Sequence, residues 1–162
     1  MTGTSLVLRT ADPADRDTAI DLIHRLNIFE NRLTGDRLET RAAAEASFMR
    51  LMERIAARHG RLVLAEDGDR TVGLMGFTIE EDQPFLREDL RRYGLVTDLI
   101  VDEEWRGRGI GRRLLDEAER LARSEGLRRL AIGVLDANGA AARIYRAFGF
   151  DDYMRIMTKE LR

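Results

Sequence analysis

Residues 95–150 read LVTDLIVDEEWRGRGIGRRLLDEAERLARSEGLRRLAIGVLDANGAAARIYRAFGF. They begin with an apolar run over 95–101, which predicts a buried strand. A helix is expected from Ile110, because apolar residues follow at helical spacing until a glycine ends the pattern. A second strand over 130–135 and a second helix from about Asn138 complete the stretch. This order of elements predicts an α/β fold.

The residues before this stretch predict a short strand and two helices. Residues 6–9 alternate apolar and polar side chains, as a strand does, and Asp12 followed by Pro13 predicts a helix start. The polar run over 27–37 is expected to form a turn between this helix and the next. The second helix should end at Gly60, which suits the left-handed conformation found at helix ends.

A hairpin, a loop and a last strand account for the remaining residues. Residues 61–65 and 71–79 are apolar, partly β-branched runs separated by EDGD, whose Asp-Gly pair is typical of a hairpin turn. The charged segment 80–93 is expected to be a long loop with a helical turn. Residues 153–161 are expected to close the chain as a strand. Together these elements predict a sheet with strands of mixed direction.

The segment before the helix at Ile110 has the composition of an anion site. It reads DEEWRGRGIG over residues 102–111. Glycines allow a tight turn and the close approach of a ligand to the amide groups, and a helix N-terminus offers unpaired N–H groups. The Gly-Lys-Ser/Thr of a P-loop and the GxGxxG of a dinucleotide fold are both absent. The alternative is that the glycines only turn the chain and the arginines are only solvated.

The helix from about Asn138 carries two stripes. Ala137, Ala141, Ile144 and Phe148 are expected to face the core, and Asn138, Ala142, Tyr145 and Gly149 lie about 100° further round. The second stripe is small or polar, as expected of a face along which a thin, flexible ligand lies. The alternatives are an N-cap role for Asn138 and a place at the edge of the core for Tyr145.

Composition excludes several classes of function. The chain has 162 residues, 44% of them hydrophobic, which suits one domain over residues 1–162. Its 27 basic and 29 acidic side chains give a net charge of −2, so neither a nucleic acid nor a membrane is expected as a partner. The absence of cysteine excludes disulfides, a thiolate zinc site and a cysteine nucleophile. We expect a cytoplasmic protein without a metal.

The turn and the second helix together resemble the GNAT superfamily of N-acetyltransferases. The acyl-CoA motif of that superfamily, Gln/Arg-x-x-Gly-x-Gly/Ala, is matched by Arg106, Gly109 and Gly111. Its later motif, Asn-x-x-Ala-x-x-x-Tyr-x-x-x-Gly-Phe, is matched by Asn138, Ala141, Tyr145, Gly149 and Phe150. The match covers residues 95–150. The resemblance implies a mixed, mostly antiparallel sheet that splays between its two central parallel strands, with about four flanking helices.

The resemblance also implies an acyl-CoA site and a transfer reaction to a primary amine. The pantetheine arm would bond to the backbone of residues 99–101 like an added strand, and the pyrophosphate would lie on amides of residues 106–111. Asn138 would contact the arm from the other side, and Tyr145 would lie near the thioester sulfur. The residues expected to bind acetyl-CoA are Leu99, Ile100, Val101, Arg106, Gly107, Arg108, Gly109, Ile110, Gly111, Arg112, Asn138, Ala141 and Tyr145.

Direct attack of an amine on the thioester benefits from a base and an acid. Tyr145 is the candidate acid, since an ordinary tyrosine pKa of about 10 keeps it protonated at neutral pH. Asp98 is the candidate base, because its alternation with Val96 and Ile100 predicts an apolar setting that would raise its pKa. Many GNAT relatives carry a glutamate just before this position, where this chain has Thr97.

Several alternatives stay open at the level of sequence. Glu30, Glu80, Glu81 and His24 are further candidates for the base. The acceptor could be a small amine, an amino acid, an antibiotic or a protein amine. A homodimer is expected because many relatives pair. The main alternative function is a non-catalytic acyl-CoA-binding regulatory module.

Overall fold

The computed structural model describes residues 6–161 and contains one sheet whose five strands lie in chain order. The first three pairings are antiparallel, and the pairing of the fourth and fifth strands is parallel. The expected mixed, mostly antiparallel sheet is therefore confirmed. The strands are β1 (Val7–Thr10), β2 (Arg61–Asp67), β3 (Arg70–Glu81), β4 (Arg92–Val101) and β5 (Leu130–Ile132).

The described residues also form five α-helices. They are α1 (Arg16–Thr34), α2 (Arg41–Ala57), α3 (Glu88–Arg91), α4 (Ile110–Ser124) and α5 (Gly139–Phe148). A 3-10 turn, Pro13–Asp15, precedes α1, and the Asp12 side chain caps it by accepting from the Ala14 amide at 2.7 Å. The single turn of α3 is the helical turn expected within the charged loop.

Two apolar layers lie on opposite faces of the sheet. Alternation along β2 sends Leu62 and Leu64 into the layer beneath α1 and α2, and Val63 and Ala65 into the layer beneath α4. The stripe of α4 predicted from helical spacing is buried, including Leu114. Both faces of the sheet are thus covered by helices.

The turn expected over 27–37 is wrong, because α1 continues to Thr34 and ends at Gly35 with a left-handed φ of 72°. The polar residues of its last turns do not face the main core, so the apolar pattern stops while the helix goes on. Asn31 fixes the end of the helix. Its Oδ1 accepts from the Arg37 amide at 2.9 Å, and its Nδ2 donates to Glu39 at 3.0 Å.

The role expected for Gly60 is also wrong. The helix α2 ends at Ala57, and His59 is the residue with positive φ, at 49°. Gly60 is instead required by a close approach of two backbones. A Cβ atom at this position would lie 2.3 Å from the carbonyl oxygen of Phe77 on β3.

The strands β4 and β5 are paired at one end only. Their parallel ladder joins Gly94 to Leu130, Leu95 to Ala131 and Val96 to Ile132, and stops there. The fifth strand is therefore shorter than the expected 130–135. Beyond Val96, β4 continues to Val101 while paired with β3 alone. The sheet thus opens between its two parallel strands, as the resemblance implied.

The strand expected over 153–161 is absent from the structure. Residues 151–161 contain no strand or helix, and all of them are exposed. A strand requires hydrogen bonds to a neighbour, and no strand of the described chain supplies them here.

Candidate active site

A cavity of about 260 Å³ lies where β4 and β5 separate. We call it the interstrand cavity. It is walled by β4, by the backbone that follows β5, and by parts of three helices. Its lining residues are Ile23, Leu26, Asn27, Glu30, Ser47, Val96, Thr97, Asp98, Leu99, Ile132, Gly133, Val134, Leu135, Asn138 and Tyr145. The structure therefore brings the predicted base, the predicted acid and two predicted CoA contacts, Leu99 and Asn138, to one cavity.

A β-bulge at Thr97 determines which way Asp98 points. Gly76 pairs with Asp98 while the next residue of β3 pairs with Val96, so Thr97 is an extra residue in β4. As a result Val96 lies in the layer beneath α4, whereas Ile100 lies in the layer beneath α1 and α2. The common face expected for Val96, Asp98 and Ile100 is wrong, because a bulge inverts the alternation of side chains.

Gly76 makes room for this bulge. A Cβ atom on Gly76 would lie 2.3 Å from Thr97 Oγ1 and 3.4 Å from Asp98 Oδ2. Any larger residue would therefore displace the segment that carries Asp98. Glycine is needed at position 76 because β3 and β4 approach each other closely there.

The environment of Asp98 favours the protonated carboxyl group. Burial raises the pKa of Asp98, and the nearby negative charge of Glu30 raises it further, outweighing the opposite effects of Thr97 and Arg54. A carboxylate with a raised pKa is a better proton acceptor at neutral pH. The electrostatic environment of the cavity is thus suited to a carboxylate that accepts protons.

Tyr145 lines the cavity, as expected of the second stripe of α5, but it also packs against the core. Ile144 is 55% exposed and Ala137 is exposed, so the core stripe predicted through them is wrong. Tyr145 is instead partly buried against Phe150, with ring centroids 6.2 Å apart. An aromatic ring buries more apolar area than the isoleucine of the neighbouring stripe, which favours this orientation of the helix. Phe148 packs in the same layer, as expected.

The phenol of Tyr145 is protonated at neutral pH. Burial raises its pKa above the ordinary value, and the negative charge of Glu30 adds to the shift. The shift also makes the phenol a weaker acid. Tyr145 therefore keeps its proton at neutral pH.

The end of α1 contributes residues that the sequence analysis assigned to a turn. Asn27 and Glu30 are three residues apart on one helix face and line the cavity. The Nε atom of Arg37 donates to Glu30 Oε2 at 2.9 Å, which holds the carboxylate in place. The sequence does contain a sign that the helix continues. Ile23, Asn27 and Glu30 follow helical spacing, although Asn27 and Glu30 are polar.

The other candidate bases do not line this cavity. Burial alone would raise the pKa of Glu80, but hydrogen bonds from Arg54 and Thr78 hold it below its usual value. Glu81 is exposed at the end of β3. The Nε2 atom of His24 lies 2.7 Å from the Glu39 carbonyl oxygen in the α1–α2 connection. Among the alternative candidate bases, only Glu30 lines the interstrand cavity together with Asp98 and Tyr145.

The glycine turn lies at the start of α4, as predicted. Gly107 and Gly109 have left-handed φ values of 76° and 78°, and Gly109 is the N-cap residue. The Arg106 amide donates to the Glu103 carbonyl at 3.3 Å and is already used within the preceding turn. The amides of the first helical residues have no partner within the helix, as in every helix N-terminus. Amides of this kind can donate to an anion.

Three arginines surround this turn. Arg106 donates from Nε to the Val101 carbonyl at 3.2 Å, and its guanidinium lies 5.0 Å from the centre of the Phe29 ring. Arg108 stacks on Trp105 at 4.5 Å. Arg112 lies 5.9 Å from the Phe148 ring. These contacts keep positive charge beside the amides of the turn.

Asn138 serves as the N-cap of α5. Its Oδ1 accepts from the Ala141 amide at 3.2 Å, so the structural role considered in the sequence analysis is confirmed. The same side chain also lines the interstrand cavity. Because the oxygen is used by the cap, its amide nitrogen is the group that can donate to a ligand. Ala141 is partly buried beneath this cap.

Two properties concern the described residues 6–161 as a whole. Within this range, His, Asp and Glu side chains do not gather in groups of three or more that could hold a metal ion. None of the helices in this range has the length and apolar character needed to cross a membrane.

The chain matches the acetyltransferase (GNAT) family over residues 26–150. This range contains the whole interstrand cavity except Ile23, together with the glycine turn and α5. The protein belongs to this acetyltransferase family.

Individual relatives agree with this membership. Thialysine N-epsilon-acetyltransferase of Bos taurus is 36% identical over 57 residues, which are 35% of this chain and 34% of the bovine protein. The matched stretch thus spans about a third of that relative. Among solved structures, a tetramutant of the BH1408 protein of Bacillus halodurans superimposes with a TM-score of 0.84 at 19% identity, covering 96% of this chain and 99% of that one.

A CoA-bound structure shares the fold as well. Aminoglycoside N-acetyltransferase AAC(6')-Iy in complex with CoA has a TM-score of 0.73 at 18% identity, covering 99% of this chain and 97% of that one. At these identities the superpositions establish a common fold, and the chemistry has to be argued from the cavity itself.

Proposed function

We propose that this protein transfers an acetyl group from acetyl-CoA directly to a primary amine. The observation that carries the proposal is the meeting of Asp98 and Tyr145 in the interstrand cavity. The glycine turn at the start of α4 supplies amides for the pyrophosphate of the donor, and positive side chains surround it. Donor and acceptor would thus meet between β4 and β5.

The open side of β4 supports the placement of the pantetheine arm. Residues 99–101 lie beyond the β4–β5 ladder, so their backbone groups on that side can pair with an extended ligand. Asn138 can donate its amide N–H to the arm from the α5 side. In the structure Arg106 bonds to the Val101 carbonyl, and this contact would have to yield if that carbonyl pairs with the arm.

The proposed reaction includes two proton transfers, and each uses a different side chain. The neutral amine attacks the thioester carbonyl carbon, a C–N bond forms, and the C–S bond breaks. The nitrogen gives up a proton to the Asp98 carboxylate, and the departing sulfur takes the phenolic proton of Tyr145. A lysine-like amine is neutral only about 0.04% of the time at pH 7, so a base in the cavity is of direct use.

Acidic residues in the cavity support an amine acceptor. The negative charge at Glu30 and Asp98 attracts a protonated amine, which gives its first proton to water before it attacks and its second to Asp98 as the C–N bond forms. The bovine relative is named for an N-epsilon amine and the CoA-bound structure for an aminoglycoside, and primary amines of either kind are suitable first acceptors.

Because the chain has no cysteine that would require oxidation, we place the enzyme in the cytoplasm.

A thiol assay tests the proposed transfer. Because the chain contains no cysteine, a thiol-reactive dye reports only the CoA that is released. The protein is incubated with acetyl-CoA and a panel of polyamines, lysine derivatives, aminoglycosides and peptides. We expect release of CoA to equal the acetylated amine measured by mass spectrometry. Binding of acetyl-CoA by calorimetry without transfer to any member of the panel would favour the non-catalytic module.

Replacement of the candidate acid tests the mechanism. Tyr145→Phe keeps the ring that packs against Phe150 and removes only the hydroxyl group. We expect turnover to fall at least tenfold, where a general acid usually contributes about a hundredfold or more, while the KM for acetyl-CoA changes little. Near-normal turnover would remove Tyr145 from the reaction. Phe150→Leu serves as a control for altered packing alone.

A further inference from the structure

The hydroxyl group of Thr97 is shielded from solvent and has no hydrogen-bond partner among residues 6–161. Three buried side-chain atoms of the described chain share this property, and only Thr97 Oγ1 belongs to a residue of the interstrand cavity. A hydroxyl that gives up its hydrogen bonds to water on folding, and gains none in return, destabilises the fold. An apolar residue of the same size would avoid this cost, so the unpaired hydroxyl calls for an explanation.

The carboxyl group of Asp98 borders the same small space as this hydroxyl. The space is the one left by the absent side chain of Gly76, where a Cβ atom would lie 2.3 Å from Thr97 Oγ1 and 3.4 Å from Asp98 Oδ2. The terminal torsion of an aspartate side chain has a broad range, so the carboxyl group can turn an oxygen toward the hydroxyl. The β-bulge therefore places an unused donor beside the candidate base.

The hydroxyl acts differently on the two protonation states of Asp98. Burial raises the pKa of Asp98, and among the groups that lower it the Thr97 hydroxyl has a larger effect than Arg54. A hydroxyl donates more strongly to a carboxylate than to a neutral carboxyl group. When the proton leaves, the buried negative charge lacks water and needs a donor. An unpaired hydroxyl thus suits the protonated acid, and a hydrogen bond suits the carboxylate.

Charged and titratable groups on the surrounding elements also act on Asp98. Glu30 on α1 raises its pKa, and Arg54 on α2 lowers it. The Nε atom of Arg54 donates to Glu80 Oε1 on β3 at 2.8 Å, so part of this positive charge is already compensated. Tyr145 on α5 lines the same cavity and is neutral at neutral pH. Salt screens the effects of the charged groups, whereas it does not screen a neutral hydroxyl donor.

We propose that Thr97 is a positioning residue, whose hydroxyl donates a hydrogen bond to the Asp98 carboxylate once that group has lost its proton. The bond holds the carboxylate in place and sets the pH above which the base works. Thr97 acts on the reaction only through Asp98, so this role rests on the proposed acetyl transfer with Asp98 as its base.

The pH profile of acetyl transfer tests this role. Thr97→Val has nearly the same shape but lacks the hydroxyl, so the carboxylate loses a donor and its pKa rises. We expect the acidic limb of kcat/KM to move to higher pH by about one unit. Thr97→Ser keeps the hydroxyl and should keep the wild-type limb. Thr71→Val is the control, since it makes the same change near the β2–β3 hairpin, outside the cavity, and should also keep the limb.

A titration that needs no turnover measures Asp98 directly. The side-chain carboxyl carbon of Asp98 is followed by NMR in the unliganded full-length protein, and Asp98→Asn assigns its signal. Its pKa should be about one unit higher in Thr97→Val than in the wild type, and unchanged in Thr97→Ser. The difference should persist at high salt. Equal values in the wild type and Thr97→Val overturn the proposal, and so does a Thr97→Ser value that matches Thr97→Val.

The two measurements separate this role from the proposed function. If no amine is acetylated, the NMR titration still decides whether Thr97 bonds the carboxylate. If transfer occurs and Asp98→Asn keeps the acidic limb, Asp98 is not the base, and the role of Thr97 in the reaction is overturned with it. Thr97→Ala is the second variant without the hydroxyl, for use if Thr97→Val does not fold, and it should show the same higher pKa.

Discussion

The opposite roles proposed for Asp98 and Tyr145 are consistent with one shared environment. Burial raises the pKa of both groups, and the charge of Glu30 raises both further. For the carboxyl group the shift moves the pKa toward neutrality and makes a better base. For the phenol it moves the pKa further above neutrality and preserves the proton. One cavity with one negative neighbour thus suits both groups to the proposed proton transfers.

The pH dependence of transfer tests the role of Asp98. The base works as a carboxylate, so kcat/KM should fall as the pH drops through its pKa, which lies above that of an ordinary aspartate. Asp98→Asn should lower kcat/KM at least tenfold and remove this acidic limb. Glu81→Gln, an exposed change outside the cavity, should keep the wild-type profile. An unchanged acidic limb in Asp98→Asn would show that another group is the base.

Among the elements, the start of α4 depends on backbone conformation more than on side chains. Gly109 adopts φ 78° as the N-cap, and no side chain caps the helix. A Cβ at Gly109 would meet no atom within 4 Å, so the requirement for glycine here is conformational and not steric. The turn leaves its amides available to an anion because no side chain within residues 6–161 caps the helix.

Replacement of Gly109 should weaken the binding of the donor. Gly109→Ala strains the left-handed backbone by roughly 1–2 kcal/mol, and the turn can relax by moving its amides. We expect the Kd of CoA, measured by calorimetry, to rise about fivefold or more. Gly126→Ala is the matched control, with φ 69°, equally open space and a position at the opposite end of α4. It should lose similar stability but bind CoA normally. Equal effects of both variants on CoA binding would contradict the assignment.

At the level of the whole molecule, an ion-pair cluster joins β1, the start of α1 and β2. The guanidinium of Arg9 donates to both oxygens of Asp15 at 2.7 Å and to Glu66 at 2.6 Å. The pair with Arg9 lowers the pKa of Asp15 to about 2, mainly through the hydrogen bonds. The side chain of Asp15 is only 14% exposed, so solvent screens this interaction less than at an exposed site.

Stability should therefore depend on the charge of Asp15. Its folded pKa lies below the unfolded value of 3.8, so its contribution is complete above pH 3.8 and is lost as the pH falls toward 2. The shift corresponds to about 2 kcal/mol. We expect Asp15→Asn to lower the unfolding free energy in urea by about this amount at pH 7, and by much less near pH 2. Asp17→Asn, whose side chain is 78% exposed, should change it little. A constant difference across this pH range would contradict the assignment.

The sequence by itself determined the features that depend on neighbouring residues. The hairpin of β2 and β3, the helix α4 and the glycine turn before it follow from local patterns, because turn residues and helical spacing act within a few positions. The motifs at 106–111 and 138–150 also predicted the family. The places of Asp98, Tyr145 and Asn138 in one cavity agree with the predicted site.

Only the tertiary structure decided the features that depend on distant partners. The bulge at Thr97 arises from pairing with β3, and α1 continues to Thr34 because its polar face meets a cavity walled by other elements. Gly60 is needed where the backbone of β3 comes close. A strand-like pattern at 153–161 forms no strand in one chain, because strand hydrogen bonds need a second strand that the local sequence does not contain.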